Sequence, residues 1–280
     1  MRNIDHILLP TDFSTDARNA LTFALEIAIQ CGASIHLLHS IEEPYDIAPL
    51  IEKAKGALKR RVKQLFDDLL NNIKKEKRYQ ELEIYTDILT GPAMYTIIEE
   101  TENRNFDLIV MGSKGRTGLE KVFLGSTTSE IIKQSDVPVL AIPKDSEYSP
   151  FKKMLFTTNY QDADLEGLQS ITAFAAHFDA TIDVFHITED DNLRSTCLFR
   201  GFKEIATETI SYGKLNFLQH TGSSFFEGML SHLQKSPVDL VIMIHYQHAF
   251  SIFKKKHSQK MSDNITIPLL ILAGNNLMNT

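Results

Sequence analysis

Apolar residues in the first half of the chain form short continuous runs that alternate with longer stretches of helical period. The continuous runs lie near residues 4–10, 34–41, 81–88, 106–111 and 137–142, and runs of this length are typical of buried strands. From Ser14, which is suited to an N-cap position, apolar residues repeat every three or four positions as far as Cys31. Strands that alternate with helices predict an α/β fold, with a parallel sheet and helices on both of its faces.

Two further helices are predicted between these strands. Apolar residues from Val62 to Ile73 share one face of the longer helix, whereas basic residues such as Lys59 and Lys74 occupy the rest of its surface. This distribution favours a solvated face over a nucleic-acid-binding one. The next helix follows Gly91-Pro92, and proline is suited to the first turn of a helix.

The same pattern occurs twice along the chain. Residues 6–13 align with 153–160, 32–39 with 179–186, 107–111 with 239–243, and 137–140 with 267–270. The repeat predicts two copies of one domain, residues 1–146 and 151–280, each an open five-stranded parallel sheet flanked by helices. A polar linker that ends at Pro150 joins them. The second copy is shorter after its second strand, so we expect its second helix to be truncated or irregular.

Composition excludes several classes of protein. Hydrophobic residues make up 43% of the 280 residues, which is enough for packed cores, and the net charge of −7 disfavours nucleic acid or an anionic membrane as a partner. The two cysteines are far apart in no metal-ligand spacing, which fits a reducing compartment. No apolar run approaches the roughly 20 residues of a membrane span, and the N-terminus lacks the apolar core of a signal peptide. We therefore expect a cytoplasmic protein.

A loop containing glycines follows the fourth strand of the first copy. Two residues separate Gly112 from Gly115, and Gly125-Ser126 follow after nine more residues, where a helix is predicted to begin. Glycines let the backbone approach an anion closely, and the N–H groups and dipole of a helix N-terminus attract it. The spacing matches neither the P-loop nor the dinucleotide fingerprint. It predicts a phosphate site of another kind, with a plain surface turn as the alternative.

Four motifs resemble those of the universal stress protein family. They are Leu9–Ser14, Val110–Gly115, Leu124–Ser126 and Val137–Leu140, and the resemblance extends over essentially the whole chain, twice. The chain is identified as a tandem member of this family whose first copy is of the ATP-binding type. The resemblance implies a fold like that of the adenine nucleotide alpha hydrolases. It also implies that the two copies pair through their final strands as an intramolecular pseudo-dimer, with a homodimer as a further possibility.

The resemblance also implies which residues bind the nucleotide. Asp12 would hold the adenosine end, and Ile41 would contact the adenine. The complete implied set is Pro10, Thr11, Asp12, Ile41, Met111, Gly112, Lys114, Gly115, Arg116, Gly125, Ser126 and Thr127. Magnesium, if it accompanies ATP, would be held by phosphate oxygens and water. Simpler alternatives are a turn role for Asp12, a core role for Ile41, and a capping box formed by Thr127 with Glu130.

The second copy departs from this pattern at the same positions. Asn159 replaces Asp12, Ile244 replaces Gly112, and the loop that follows Ile244 begins without a glycine. A side chain at the glycine position would keep the backbone away from a phosphate, so no ATP is expected in the second copy. The second copy is then either a structural partner or a site for a different ligand.

Four histidines are candidates for a functional role. His245 and His248 are three residues apart, which is weak support for a metal site without a third ligand and favours a surface loop. His39 and His186 recur at matching strand ends of the two copies. Their recurrence indicates a shared packing or hydrogen-bonding role rather than catalysis.

These features predict an ATP-binding stress-response protein with a regulatory role, in which nucleotide occupancy changes a surface that a partner recognises. No catalytic residue and no metal site is assigned, because the sequence shows no Ser-His-Asp or Cys-His arrangement and no paired carboxylates at a defined loop. Hydrolysis of ATP should be slow at most. Two alternatives stay open: a slow ATPase or other nucleotide-dependent enzyme in which Asp12 positions water, and a small-molecule binding module that does not bind ATP.

Overall fold

The computed structural model describes residues 3–42, 48–113, 124–245 and 266–274, with the backbone alone for 48–55. The first half of the chain contains five strands and four helices within these residues. They are β1 (His6–Pro10), α1 (Thr15–Cys31), β2 (Ser34–Ile41), α2 (Ala48–Lys75), β3 (Ile84–Thr90), α3 (Ala93–Asn103), β4 (Leu108–Gly112), α4 (Ser126–Gln134) and β5 (Val139–Ile142), with a 3₁₀ turn at Lys77–Tyr79. The predicted strands are confirmed to within a few residues at each end.

The second half of the chain repeats this alternation in its described residues. Its elements are β6 (Lys153–Thr157), α5 (Asp162–Phe178), β7 (Thr181–Thr188), α6 (Leu193–Thr209), β8 (Leu215–Thr221), α7 (Phe225–Lys235), β9 (Leu240–His245) and β10 (Leu269–Ala273). Helix α6 has 17 residues against 28 in α2, so the prediction of a shorter second helix is confirmed. Of the two alternatives, truncated or irregular, the structure shows truncation, and Asn192 and Ser195 form reciprocal capping hydrogen bonds at the start of α6.

All ten strands that the structure describes belong to one sheet, in the order β3-β2-β1-β4-β5-β10-β9-β6-β7-β8. Neighbouring strands are parallel within each half, and the two halves meet where β5 and β10 pair antiparallel. The register at this junction places Leu140 opposite Leu270, and both side chains are 1% exposed. The predicted five-stranded sheets are therefore joined into one through their final strands.

Helices cover both faces of the sheet because side chains of successive strand residues point to opposite faces. In β1, Leu9 packs in the core beneath α1 and α2, whereas Leu8 packs beneath α3 and α4. Helix α1 begins at the predicted N-cap, where the Ser14 hydroxyl accepts a hydrogen bond from the Ala17 N–H. Within the described residues, no helix is both long enough and apolar enough to cross a membrane.

The repeat extends to details of hydrogen bonding. Asp107 accepts hydrogen bonds from the backbone N–H groups of Asp5 and His6 at the start of β1, each at 2.9 Å. In the second half, Asp239 accepts from the N–H groups of Lys152 and Lys153 at the start of β6, each at 2.8 Å. The carboxylate before the fourth strand therefore fixes the start of the first strand in both halves.

Candidate functional site

A cavity of about 290 Å³ opens beyond the carboxyl ends of β1 and β4. The strand order reverses between these two strands, since β2 and β3 lie on one side of β1 and β4 and β5 on the other. Ligands of open parallel sheets bind at this kind of switch point. The cavity is lined by Pro10, Thr11, Asp12, Ser14, Ala17, Leu38, His39, Ser40, Ala93, Ile97, Met111, Gly112, Gly125, Ser126, Thr127 and Thr128.

The loop after β1 forms one wall of this cavity. Asp12 accepts a hydrogen bond from the Ser14 N–H at 2.9 Å, and the N–H of Phe13 donates to the Thr11 hydroxyl at 3.1 Å. Phe13 has a positive φ of 59°, a conformation that is uncommon for a residue other than glycine. Asp12 therefore has the turn role proposed as its simpler alternative and also lines the cavity.

His39 fixes this loop from the neighbouring strand. Its Nδ1 lies 2.7 Å from the carbonyl oxygen of Thr11, and its ring packs against that of Phe13. The second half repeats the arrangement, with His186 Nδ1 at 2.7 Å from the carbonyl oxygen of Thr158. The predicted hydrogen-bonding role shared by the two histidines is thereby confirmed.

Gly112 allows the end of β4 to lie directly against the first turn of α1. A Cβ at this position would be 3.1 Å from Asp16 Cβ and 3.2 Å from the Asp16 carbonyl carbon and oxygen. The Gly112 carbonyl also accepts a hydrogen bond from the Thr128 hydroxyl at 3.0 Å. The glycine is thus required for close approach between two backbone segments that both border the cavity.

Helix α4 presents its N-terminus to the opposite wall of the cavity. It begins at Ser126, and the N-cap residue Gly125 supplies no side-chain hydrogen bond. The capping box considered for Thr127 and Glu130 was wrong, because the helix starts before Thr127 and the Glu130 carboxylate pairs instead with Lys133 at 2.5 Å. Ser126 and Thr127 line the cavity from the first turn, where backbone N–H groups have no partner within a helix.

Most of the implied nucleotide-binding residues come together around this cavity. Those lining it are Pro10, Thr11, Asp12, Met111, Gly112, Gly125, Ser126 and Thr127. Ile41 is not among the lining residues; it ends β2, is 6% exposed and packs in the core. Lys114, Gly115 and Arg116 lie outside the described residues.

Sequence reasoning missed several lining residues, including Ala17, Leu38, His39 and Ile97. Ala17 follows the N-cap Ser14 by three residues, so the predicted helix start already placed it in the first turn of α1. Leu38 and His39 reach the cavity from β2, and Ile97 reaches it from α3. No sequence motif identifies these three residues as part of a site. Their contribution depends on how strands and helices assemble.

The equivalent loop of the second half is closed by a buried carboxylate. Asp164, which is 1% exposed, accepts hydrogen bonds from the Thr158 hydroxyl and from the N–H groups of Asn159 and Gln161, at 2.8, 2.8 and 3.0 Å. With Asp12 aligned to Asn159, Asp164 stands at the position of Ala17. A charged side chain therefore fills the place where the first half has a methyl group facing the cavity.

The two histidines considered for a metal site are only partly covered by the structure. His245 ends β9, and burial lowers its pKa, with Lys133 acting in the same direction. His248 lies outside the described residues. The preference for a surface loop over a metal site stays a prediction.

The strand order, the helices on both faces and the cavity beyond the strand ends define an open α/β protein. The model of the universal stress protein family matches residues 3–143, and the chain therefore belongs to that family. It is 32% identical over 142 residues to Universal stress protein MJ0531 of Methanocaldococcus jannaschii, covering 49% of this chain and 81% of the relative. Universal stress protein MJ0577 of the same organism is also 32% identical, over 152 residues that cover 49% of this chain and 94% of the relative.

A solved structure supports the fold over almost the entire length. The crystal structure of a universal stress protein from Archaeoglobus fulgidus DSM 4304 matches this chain with a TM-score of 0.73, covering 97% of each chain. The sequence identity is 17%. At that level the match shows that the overall fold is the same.

Proposed function

We propose that this chain is a regulatory protein that binds ATP, or another adenine nucleotide, in the cavity of its first half. The observation that supports this best is the cavity itself, which lies at the switch point of the sheet and is bordered by a helix N-terminus without a side-chain cap. Its volume of about 290 Å³ is close to the lower end of small-molecule sites, which span roughly 300–1,000 Å³.

The two walls of the cavity suggest how the nucleotide is oriented. The first turn of α4 favours negative charge through its N–H groups and dipole, and the hydroxyls of Ser126 and Thr127 add donors there. Asp12 on the opposite wall would repel phosphates but would accept hydrogen bonds from ribose hydroxyls. The phosphates therefore lie toward α4 and the nucleoside toward Asp12, and Mg²⁺, when present, takes phosphate and water oxygens as ligands.

The second half has a structural role in this proposal. Residues 151–280 form the second domain and pair with residues 1–146 through β5 and β10 as a pseudo-dimer within one chain. Asp164 and Ile244 stand where the first domain has Ala17 and Gly112, so the second domain binds no ATP. We place the protein in the cytoplasm, with neither membrane nor nucleic acid as its partner.

Catalysis is slow or absent in this proposal. Asp12 accepts a hydrogen bond from the Ser14 N–H, which suits a residue that holds a loop and a sugar rather than a base that activates water. The alternative of a slow ATPase is tested by single-turnover hydrolysis of ATP. A rate that falls sharply in Asp12→Asn, with ATP affinity retained, would favour the enzyme.

The proposal is tested by exchanging cavity residues for those of the second domain. Ala17→Asp places a carboxylate in the cavity, where it can accept from the Thr11 hydroxyl as Asp164 does from Thr158. Thr22→Asp adds the same charge to the exposed side of α1 and is the matched control. We expect the wild type and Thr22→Asp to bind ATP with equal affinity in calorimetry and Ala17→Asp to lose binding.

Nucleotide content of the freshly purified protein provides a second measurement. The protein is denatured and the supernatant is analysed by ion-exchange chromatography. ATP that copurifies with the wild type and is absent from Ala17→Asp would support the proposal. If the wild type carries no nucleotide, shows no thermal shift with ATP, ADP or cAMP, and gives no heat of binding, then the cavity takes a different small molecule.

A further inference from the structure

The outward face of α6 carries apolar side chains that the rest of the described chain leaves about half exposed. Leu198 and Ile205 are 48% and 47% exposed, and Cys197 is exposed beside them. Their spacing along the chain places them on one side of the helix, with Gly201 between them. With Leu193, α6 holds three of the seven exposed large hydrophobic side chains among the described residues. Clustering of this kind marks an interaction surface.

Gly201 has no packing role inside the chain. Glycine is the poorest helix former after proline, yet this one stands near the middle of α6. A Cβ at Gly201 would meet no heavy atom within 4 Å, whereas a Cβ at Gly228 in α7 would collide with Ile187. The glycine of α7 is therefore explained by internal packing and that of α6 is not. A missing side chain on an exposed helix face leaves room for a second backbone to approach from outside.

The charges on this face are arranged symmetrically about Gly201. Arg194 lies seven residues before it and Glu208 seven residues after it, and both are exposed. In an antiparallel pair of α6 helices that cross at Gly201, Arg194 of each copy faces Glu208 of the other. The same symmetry brings Cys197 opposite Ile205. The two ends of this face are thus complementary to each other in charge, as a two-fold interface requires.

We propose that α6 is a dimer interface at which two copies of this chain pack antiparallel, with Gly201 at the two-fold axis. The contact is separate from the β5–β10 junction, which joins the two halves within one chain. It is also separate from the nucleotide cavity, since no residue of α6 lines it.

The main test is sedimentation velocity of the full chain over a concentration series. We expect a monomer–dimer equilibrium for the wild type. Gly201→Glu places two like charges face to face at the axis and should raise the dimer dissociation constant by more than about tenfold. Its matched control is Gly213→Glu, at a second position in the second half where an added Cβ meets nothing within 4 Å. Circular dichroism checks that both variants are folded.

A charge exchange separates this interface from other ways of dimerising. Arg194→Glu should weaken the dimer, and the double variant Arg194→Glu with Glu208→Arg should restore it, since the two charges then face each other with their signs exchanged. A monomeric wild type, a dimer unaffected by Gly201→Glu, or a double variant as weak as the single one would overturn the proposal. If this face binds a different protein instead, the purified wild type will be monomeric.

Cross-linking tests the register of the two helices. In the wild type, Cys197 of the two copies would be eight helical positions apart, about 12 Å along the axis from the 1.5 Å rise per residue, which is beyond reach of a disulfide. Ile205→Cys should form a disulfide with Cys197 of the second copy under copper-phenanthroline oxidation. Burial raises the pKa of Cys31 to about 12, which keeps this thiol unreactive. Failure of Ile205→Cys to cross-link in a dimeric sample would overturn the register.

Discussion

Replacing Gly112 by alanine tests whether the close approach of β4 to α1 holds the cavity in shape. The added methyl group would lie 3.1 Å from Asp16 Cβ and 3.2 Å from the Asp16 carbonyl carbon and oxygen. Two of these three atoms belong to the backbone, so no side-chain rotation relieves the contact. Since carbon atoms pack optimally at about 3.5–4.0 Å, the first turn of α1 or the end of β4 must move by a few tenths of an ångström.

The size of the stability loss depends on the contacts that hold the two backbone segments in place. Helix α1 is fixed by the Ser14 cap, and the Gly112 carbonyl is fixed by the Thr128 hydroxyl. Overpacking a constrained site costs about 1–3 kcal/mol, and the lower chain entropy of alanine in the unfolded state returns about 0.5–1 kcal/mol. We therefore expect Gly112→Ala to reduce the free energy of unfolding by about 0.5–2 kcal/mol.

The assay is urea unfolding followed by circular dichroism, with Gly213→Ala as the control. A Cβ at Gly213 meets no heavy atom within 4 Å, so the control should unfold at or above the wild-type midpoint. ATP affinity, measured by calorimetry on the same samples, should fall in Gly112→Ala alone because both displaced segments line the cavity. Equal unfolding midpoints and equal affinities for Gly112→Ala and the wild type would refute the reasoning.

Four further substitutions probe three other parts of the structure. Asn19→Ala removes the side-chain amide that donates to the carbonyl oxygens of Pro143 and Ser146 at 3.0 and 2.9 Å. This substitution should lower the free energy of unfolding in urea by about 1–3 kcal/mol and should speed proteolysis of the linker that follows β5. Leu140→Ala and Leu270→Ala should each cost about 2–5 kcal/mol, and in a double-mutant cycle their costs should not add, because the two residues face each other across the junction. Burial lowers the pKa of His232, and the nearby His220 lowers it further. The unfolded chain therefore binds more protons than the folded protein, and the free energy of unfolding falls as the pH drops below about 6.5. His232→Phe should make the decrease in unfolding free energy over that pH range smaller.

The sequence predicts this fold well because the period of its apolar residues encodes it directly. A strand buried on both faces needs a continuous apolar run, and the run from Leu108 to Met111 coincides with the residues of β4 that are fully covered. The N-cap at Ser14 was equally predictable, because its hydroxyl accepts a hydrogen bond from a backbone N–H in the first helical turn that has no partner within the helix. Features fixed by neighbouring residues in the chain are those that a single sequence reveals.

Features fixed by distant residues were harder to predict. The capping box considered at Thr127 does not form, and the Thr128 hydroxyl of the same turn donates instead to the Gly112 carbonyl at the end of β4. The role of Asp164 was also missed. In the sequence it resembles an ordinary acidic residue in the first turn of a helix, and only the folded loop shows that its carboxylate accepts three hydrogen bonds while nearly fully buried.

The two halves differ in their cavities because different residues occupy the same position in their first helices, α1 and α5. In the first half, small residues at Ala17 and Gly112 leave the space beyond β1 and β4 open. In the second half, Asp164 ties the same loop through its own carboxylate, so the loop is satisfied without any ligand. On our proposal that the second half binds no ATP, its loop needs no ligand, and its outer helix is free for contacts with another molecule. The exposed apolar face around Gly201 is the feature that this freedom would produce.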